Sequence, residues 1–256
     1  MNGGSYCTWT GVACVGANVV SLSLSSCMYK RDCSSGPVPA SFGNLAYLRS
    51  LSIWPNTLSG TFPSSVSGLV RLEELYINNG ELTSGLNYFG ALPALRRMVL
   101  TNSGFNGSMP AITTPSFNEL IVSNVAFTGP IPDYSALPNM TTLDVNSLSS
   151  NLSGPLPPFP ASLTTLRITC GSGGGSGGAN NNCALSGDLS ASLQRCTALQ
   201  TLFVAGTSLA GPLGSSACAV YNGLRSCSLT GNALACPLPA CLAGAGLSCN
   251  PNSCSL

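Results

Sequence analysis

Apolar residues recur along this chain in one phrase: two positions three apart, then a third two residues later. The pairs are Val19/Leu22, Leu48/Leu51, Leu72/Leu75, Leu95/Met98, Phe117/Leu120, Met140/Leu143, Leu163/Leu166, Leu199/Leu202 and Leu224/Cys227. The third members are Leu24, Ile53, Ile77, Leu100, Val122, Val145, Ile168, Val204 and Leu229. The starts Leu48, Leu72, Leu95, Phe117, Met140 and Leu163 lie 24, 23, 22, 23 and 23 residues apart. Three longer steps, of 29, 36 and 25 residues, each hold an insertion. Alternation places the second and third members on one face of a short strand. One such strand cannot bury that face, but a copy stacked beside it can, and each buried Leu or Ile contributes about 1.5–3 kcal/mol. A Gly followed by Pro, as at Gly60/Pro63, Gly107/Pro110, Gly129/Pro132 and Gly154/Pro157, predicts the turn that brings the chain back.

Fixed-period L-x-x-L-x-L self-similarity in the 20–29 residue range is the leucine-rich repeat signature. The repeat predicts one solenoid rather than separate globular domains. The expected divisions are the remnant of an N-terminal disulfide cap over 1–17, the solenoid over 18–240 with a Gly/Ser-rich insertion at 171–182, and a Cys-rich C-terminal cap over 241–256.

Composition changes the picture in two ways. Only 7% of the 256 residues are charged, against about 25% in an ordinary domain. The periodic apolar residues still argue against disorder. A net charge of +1 predicts no nucleic-acid partner. No run of 18 apolar residues exists, so no membrane-spanning helix is expected. The start, MNGGSYCTWT, shows no apolar leader.

The 13 cysteines gather where a solenoid is weakest. Cys7 and Cys14 precede the first repeat, Cys27 and Cys33 bracket one insertion, and Cys170 and Cys183 bracket GSGGGSGGANNN. Cys218, Cys227, Cys236, Cys241, Cys249 and Cys254 crowd the end. Bridges at such places would stabilise by about 2–4 kcal/mol each, and they persist in oxidising compartments. The expectation is an extracellular or cell-surface chain with a truncated N-terminus. An odd count leaves at least one thiol, and Cys227, in a core Leu slot, is the expected free one. Without His or a C-x2-C pair, a metal site has little support. The C-x4-C spacing of Cys236/Cys241 and Cys249/Cys254 keeps zinc as a lesser alternative. Asn106, Asn139 and Asn151 begin N-glycosylation triplets outside the strand cores; a chain this rich in Ser and Thr also makes such triplets by chance.

CTWTGVAC (Cys7–Cys14) resembles the end of the N-terminal cap of plant-type leucine-rich repeat proteins, and LSGPLP and FTGPIP resemble their L-x-G-x-x-P phrase. Over roughly 6–240 the chain is similar to receptor-like kinase ectodomains and polygalacturonase-inhibiting proteins. The resemblance implies an α/β solenoid: a superhelix of about nine repeats, with a concave parallel β-sheet and a mostly irregular or short 3-10 convex side. It also implies that Cys7 pairs with Cys14. Two features depart from the pattern. The cap's helical part is missing, and the Asn after the third apolar position survives only at Asn56 and Asn232. Elsewhere that slot holds Cys27, Gly80, Ser103, Val125, Ser150, Cys183 or Thr207, which predicts an irregular hydrogen-bond ladder.

The concave face holds 9 of the 17 charges: Arg49, Glu73, Glu74, Arg96, Arg97, Glu119, Asp144, Arg167 and Arg225. Opposite signs stack at one strand spacing, about 4.8 Å. A self-neutralising surface ladder is therefore expected in preference to a ligand clamp. The remaining strip, Trp54, Tyr76, Asn78, Asn79, Val99, Ile121 and Phe203, reads either as a contact surface or as aromatics folded down on the sheet. Thr141, Thr142, Thr164, Thr165, Thr169 and Thr201 fit strand propensity, or less readily an ice-ordering array.

Catalysis is not expected. There is no His for a nucleophile–base pair, and Glu73 and Glu74 have Arg neighbours that favour the ionised form, the wrong direction for an acid. The Gly-rich insertion lacks the Lys of a phosphate loop and reads as a flexible tongue tied off if Cys170 and Cys183 pair. No cofactor is implied. The function expected is extracellular recognition of a protein or peptide on the concave face. The alternatives are a structural wall or matrix glycoprotein, or a carbohydrate or ice-surface binder.

Overall fold

A computed structural model describes residues 6–24, 36–54, 58–78, 80–147, 150–170, 183–235 and 237–243. Each repeated phrase becomes one strand of a ten-stranded sheet. Val12–Val15 runs antiparallel to Asn18–Ser23. Ser50–Ile53, Glu74–Asn78, Arg97–Thr101, Glu119–Ser123, Thr142–Ser147, Thr165–Cys170, Thr201–Ala205 and Ser226–Ser228 then follow, parallel and in chain order. The register keeps like positions together, Leu51 beside Leu75 beside Met98 beside Leu120 beside Leu143 beside Leu166 beside Leu202 beside Cys227.

The apolar phrase forms the core as expected. Leu51, Leu75, Met98, Leu120, Leu143, Leu166 and Leu202 are all 0% exposed. Val19 and Leu22, on the first coil, are partly buried and pack against this core. The convex side carries short 3-10 turns at Ala40–Asn44, Ser64–Gly68, Leu86–Tyr88 and Ser215–Ala217, and one-turn α-helices such as Leu189–Leu193. Asp188 caps that helix, accepting from the backbone N–H groups of Ser190 and Ala191 at 2.8 and 3.3 Å.

The L-x-G-x-x-P phrase does more than turn. Leu58–Thr61 joins Gly36–Pro37 and Glu81–Ser84 in one small parallel sheet; Asn106–Gly107, Ala126–Gly129, Asn151–Pro155 and Ala184–Ser186 make a second, and Ala210–Pro212 pairs with Ala233–Ala235. Identical extended segments one coil apart satisfy each other's backbone groups, so the repetition itself creates the ladder. Close stacking of the coils also limits side-chain size. A Cβ at Gly90 would sit 2.0 Å from the Ala111 carbonyl oxygen of the next coil.

Between the strands and the small sheets, the slot expected to lack its Asn is irregular. Asn232 is buried and completes a network. Its Oδ1 accepts from Thr207 Oγ1 (2.7 Å) and from the N–H groups of Thr207 and Leu209 (both 3.3 Å). Its Nδ2 donates to the carbonyls of Val204 (2.6 Å) and Leu229 (2.9 Å). Ser150 Oγ donates once, to the Val125 carbonyl at 2.8 Å. Ser103 Oγ is buried with no hydrogen-bond partner among the described residues. Asn56 and Cys27 lie outside the described residues.

Disulfides join Cys7 to Cys14, Cys170 to Cys183 and Cys218 to Cys241. The expectation for Cys227 is overturned: it is disulfide-bonded, and the free thiol among the described residues is the buried Cys196. The reason is positional. Cys227 lies on the last strand of the sheet, beside Leu202. Cys196 instead takes the convex apolar position held by Leu69, Leu92 and Leu137 in earlier coils, where a thiol packs as a small hydrophobe. Cys27, Cys33, Cys236, Cys249, Cys254 and the 171–182 insertion lie outside the described residues, as does most of the expected C-terminal cap.

Candidate functional site

Register converts the concave positions into straight rows. The central row reads Ser52, Tyr76, Val99, Ile121, Asp144, Arg167, Phe203 and Ser228 across neighbouring strands. Tyr76, Val99 and Ile121 are therefore consecutive, one strand spacing apart, and each is half-buried. Trp54 follows the end of its strand and is 53% exposed. Asn78 ends the Tyr76 strand. Phe203 stands apart from this group, separated from Ile121 by Asp144 and Arg167. Asn79 lies outside the described residues.

Tyr76 is held in place. Arg97 NH1 donates to its hydroxyl at 3.2 Å, and the guanidinium lies 5.4 Å from the ring centre. Arg97 Nε in turn sits 2.6 Å from Glu119 Oε2. Burial, with help from Glu74, raises the Tyr76 phenol above its usual value, while Arg97 works against that rise. The ring is thus neither free nor folded away under neighbours; it presents a fixed face.

The charge ladder forms only in part. Among the described residues the ion pairs are Arg49–Glu73 at 2.9 Å and Arg97–Glu119. The expected partners of Glu74, Arg96 and Asp144 do not close on them. Arg167 lies over the Phe203 ring at 4.7 Å instead. Asp144 is left half-buried, its carboxyl held above the usual value by desolvation, against the pull of Arg167 and with a smaller push from Glu119.

One feature of the edge escapes the sequence reading. Asn124 Nδ2 donates to Asn102 Oδ1 at 2.9 Å, and Asn102 Nδ2 to Asn78 Oδ1 at 3.4 Å. Asn102 and Asn124 take left-handed backbone (φ 46° and 51°), a conformation Asn tolerates better than other side chains. The available signal was an Asn just past the third apolar position in successive repeats, one residue on at Asn78 and two at Asn102 and Asn124. Three of the six Thr positions bond within the fold: Thr141, Thr164 and Thr169 hydroxyls donate to Asn118 O (3.4 Å), Thr141 O (3.0 Å) and Asn146 Oδ1 (2.9 Å).

Asn106, Asn139 and Asn151 are all exposed; Asn139 Nδ2 donates to the Pro115 carbonyl at 2.9 Å. Away from the concave face, a cleft of about 400 Å³ opens beside the Cys7–Cys14 bridge, lined by Tyr6, Trp9, Asn18, Asn44, Tyr47 and small apolar residues. Tyr47 is stacked under Arg71 at 4.6 Å. Among the described residues no three His, Cys, Asp or Glu side chains gather as metal ligands, and no helix is long and apolar enough to cross a membrane.

No family profile matches the chain. Pollen receptor-like kinase 2 of Arabidopsis thaliana is 32% identical over 150 residues, 57% of this chain and 22% of that protein. The chain spans about a fifth of the length of the first relatives it matches, 22% and 20%. The structure of PEPR1-AtPEP1 superposes with a TM-score of 0.72 at 25% identity, over 93% of this chain and 32% of that one. The plant peptide hormone receptor RGFR1, in complex with RGF2, gives 0.66 at 23%, over 82% and 32%. A plant ice-binding protein shares the fold with a TM-score of 0.53 at 18%, over 93% and 81%.

Proposed function

The chain is a plant-type leucine-rich repeat protein, and from that premise we propose that its concave face binds a peptide, or a protein segment, in extended conformation and without catalysis. One observation carries the reading: Tyr76, Val99 and Ile121 form an unbroken half-exposed row on a rigid parallel sheet. An extended chain lying across the strands would cover that row, with Trp54 and the Asn78–Asn102–Asn124 edge beside it. RGFR1, of similar fold, is described as a peptide hormone receptor. The setting proposed is extracellular, supported by the bridges Cys7–Cys14, Cys170–Cys183 and Cys218–Cys241. Glycans on the exposed Asn106, Asn139 and Asn151 and end caps over 1–17 and 241–256 belong to the same reading.

The test is selection from a displayed library of random peptides. Binders of the wild-type protein should lose affinity about tenfold or more on the Trp54→Ala/Tyr76→Ala double variant, the size expected for losing two aromatic anchors. No binders, or binders indifferent to that variant, would overturn the proposal. A second reading has its own observation. Among the described residues the Tyr6/Trp9/Tyr47 cleft is lined by aromatics, apolar residues and two amides, with Arg71 stacked on Tyr47, which suits a neutral glycan. Retention on a neutral glycan array, lost with Trp9→Ala, would support it.

A further inference from the structure

The central row changes character at one point. Three apolar residues, Tyr76, Val99 and Ile121, are followed on the next strand by Asp144. Glu119, two residues before Ile121 on its strand, flanks the same spot and is one of the charges that act on Asp144. The nearby cations are occupied. Arg97 is engaged by Glu119 and by the Tyr76 hydroxyl, and Arg167 lies against Phe203. Neither guanidinium comes within ion-pair distance of Asp144 among the described residues. A half-buried carboxylate beside an apolar row, short of a close cation, is the complement of an apolar segment ending in a positive charge.

We propose that the ligand of the concave face is an extended peptide with a short apolar run and one adjacent Lys or Arg, whose charged group Asp144 receives. This rests on the peptide reading above and narrows it. The spacing follows from strand geometry. Tyr76 and Asp144 are three strands apart, about 14 Å at about 4.8 Å per strand. An extended peptide covers that in about four residues at about 3.3–3.6 Å each. The basic residue therefore stands about four positions from the residue facing Tyr76. Asp144 gains the close ion pair that Arg167, turned onto Phe203, does not make, and a charge-assisted contact in a partly desolvated groove is stronger than one on an open surface.

A phage library of random heptapeptides, panned in parallel on the wild-type protein, Asp144→Asn and Asp144→Lys, tests this. Wild-type selection should enrich Lys or Arg at that offset from apolar residues. Asp144→Asn should lose the preference, and Asp144→Lys should favour Asp or Glu there. For one enriched synthetic peptide, Asp144→Asn should raise Kd about tenfold or more. Replacing the peptide's Lys by norleucine should cost as much, and the two losses should not add. Circular dichroism and Tm of Asp144→Asn confirm folding. Enriched peptides without a basic residue, or losses that add fully, overturn this inference and leave the peptide reading standing. A selection that yields no binders overturns both.

Discussion

Three residues in one structural slot, Asn232, Ser150 and Ser103, form a graded experiment on what the interior polar row contributes. Asn232→Ala removes an acceptor for Thr207 Oγ1 and for the N–H groups of Thr207 and Leu209, and a donor to the carbonyls of Val204 and Leu229. All lie in the interior, where each orphaned polar group costs about 1–3 kcal/mol. Water entering the vacated space re-satisfies some of them, so the expected loss is about 3–5 kcal/mol rather than the full sum. Ser150→Ala removes one bond to the Val125 carbonyl, which keeps the Phe127 N–H at 3.0 Å, for about 1 kcal/mol or less. Ser103→Ala deletes a buried hydroxyl with no partner among the described residues, so it should be neutral or stabilising. Because each coil touches only its neighbours, the Asn232→Ala loss should be local. Hydrogen exchange should rise over Thr201–Ala205 and Ser226–Ser228 and stay unchanged over Glu119–Ser123. Chemical denaturation supplies the energies. Equal effects from all three variants, or exchange rising evenly along the chain, would refute the argument that these bonds hold adjacent coils in register.

Other outcomes follow from burial and close approach. Tyr134, whose hydroxyl donates to the Pro110 carbonyl at 2.8 Å, has its phenol pushed well above the usual value by burial, and Tyr221, bonded to Ser190 at 3.0 Å, is raised too. The unfolded chain releases these protons from its ordinary value near 10.0 while the folded chain retains them, so stability should fall as pH rises above that point. Urea midpoints from pH 8 to 11 should show the decline, flattened in Tyr134→Phe/Tyr221→Phe; an unchanged slope would contradict it. Gly90→Ala, with its Cβ directed at the Ala111 carbonyl oxygen, should cost about 1–3 kcal/mol by forcing two coils apart, and an unchanged Tm would argue that the coils shift freely. The Cys196 thiol is raised to about 11 by burial. Alkylation of the native protein at pH 8 should leave it unmodified, and mass mapping that finds it labelled at once would overturn its placement.

The fold was legible because its determinant is one-dimensional. A residue such as Leu120 needs only to know that Met98 and Leu143 lie one coil away, and the period states that. The second set of sheets was not legible, since LSGT at 58–61 carries the Gly of a turn signal and becomes a strand only because its neighbours repeat it. The free thiol was misplaced for a related reason. Cys227 occupies a core slot by pattern, on the last strand of the sheet, and a repeat pattern does not show which cysteines come within bonding reach. The charge columns were placed correctly and paired in part: Arg49–Glu73 and Arg97–Glu119 close, and Asp144–Arg167 does not. Strand spacing fixes where Arg167 starts, but its side chain can choose between Asp144 and the ring of Phe203, and the ring wins. Such choices among flexible side chains leave no trace in periodicity.

That same choice divides the concave face. From Asn18–Ser23 to the last strand the backbone ladder is continuous, so the outward residues can vary without cost to the fold. On the side before Asp144, the outward row is Tyr76, Val99 and Ile121, pinned by Arg97 and edged by linked amides. On the side after it, Arg167 covers Phe203, and the Thr164 and Thr169 hydroxyls are spent on the fold. Recognition needs surface that is ordered but not already satisfied. Only the first side offers it. Substitutions at Val99 or Ile121 should therefore change binding far more than equal changes at Thr165 or Thr201, and a binding scan that reversed that order would place the ligand elsewhere on the solenoid.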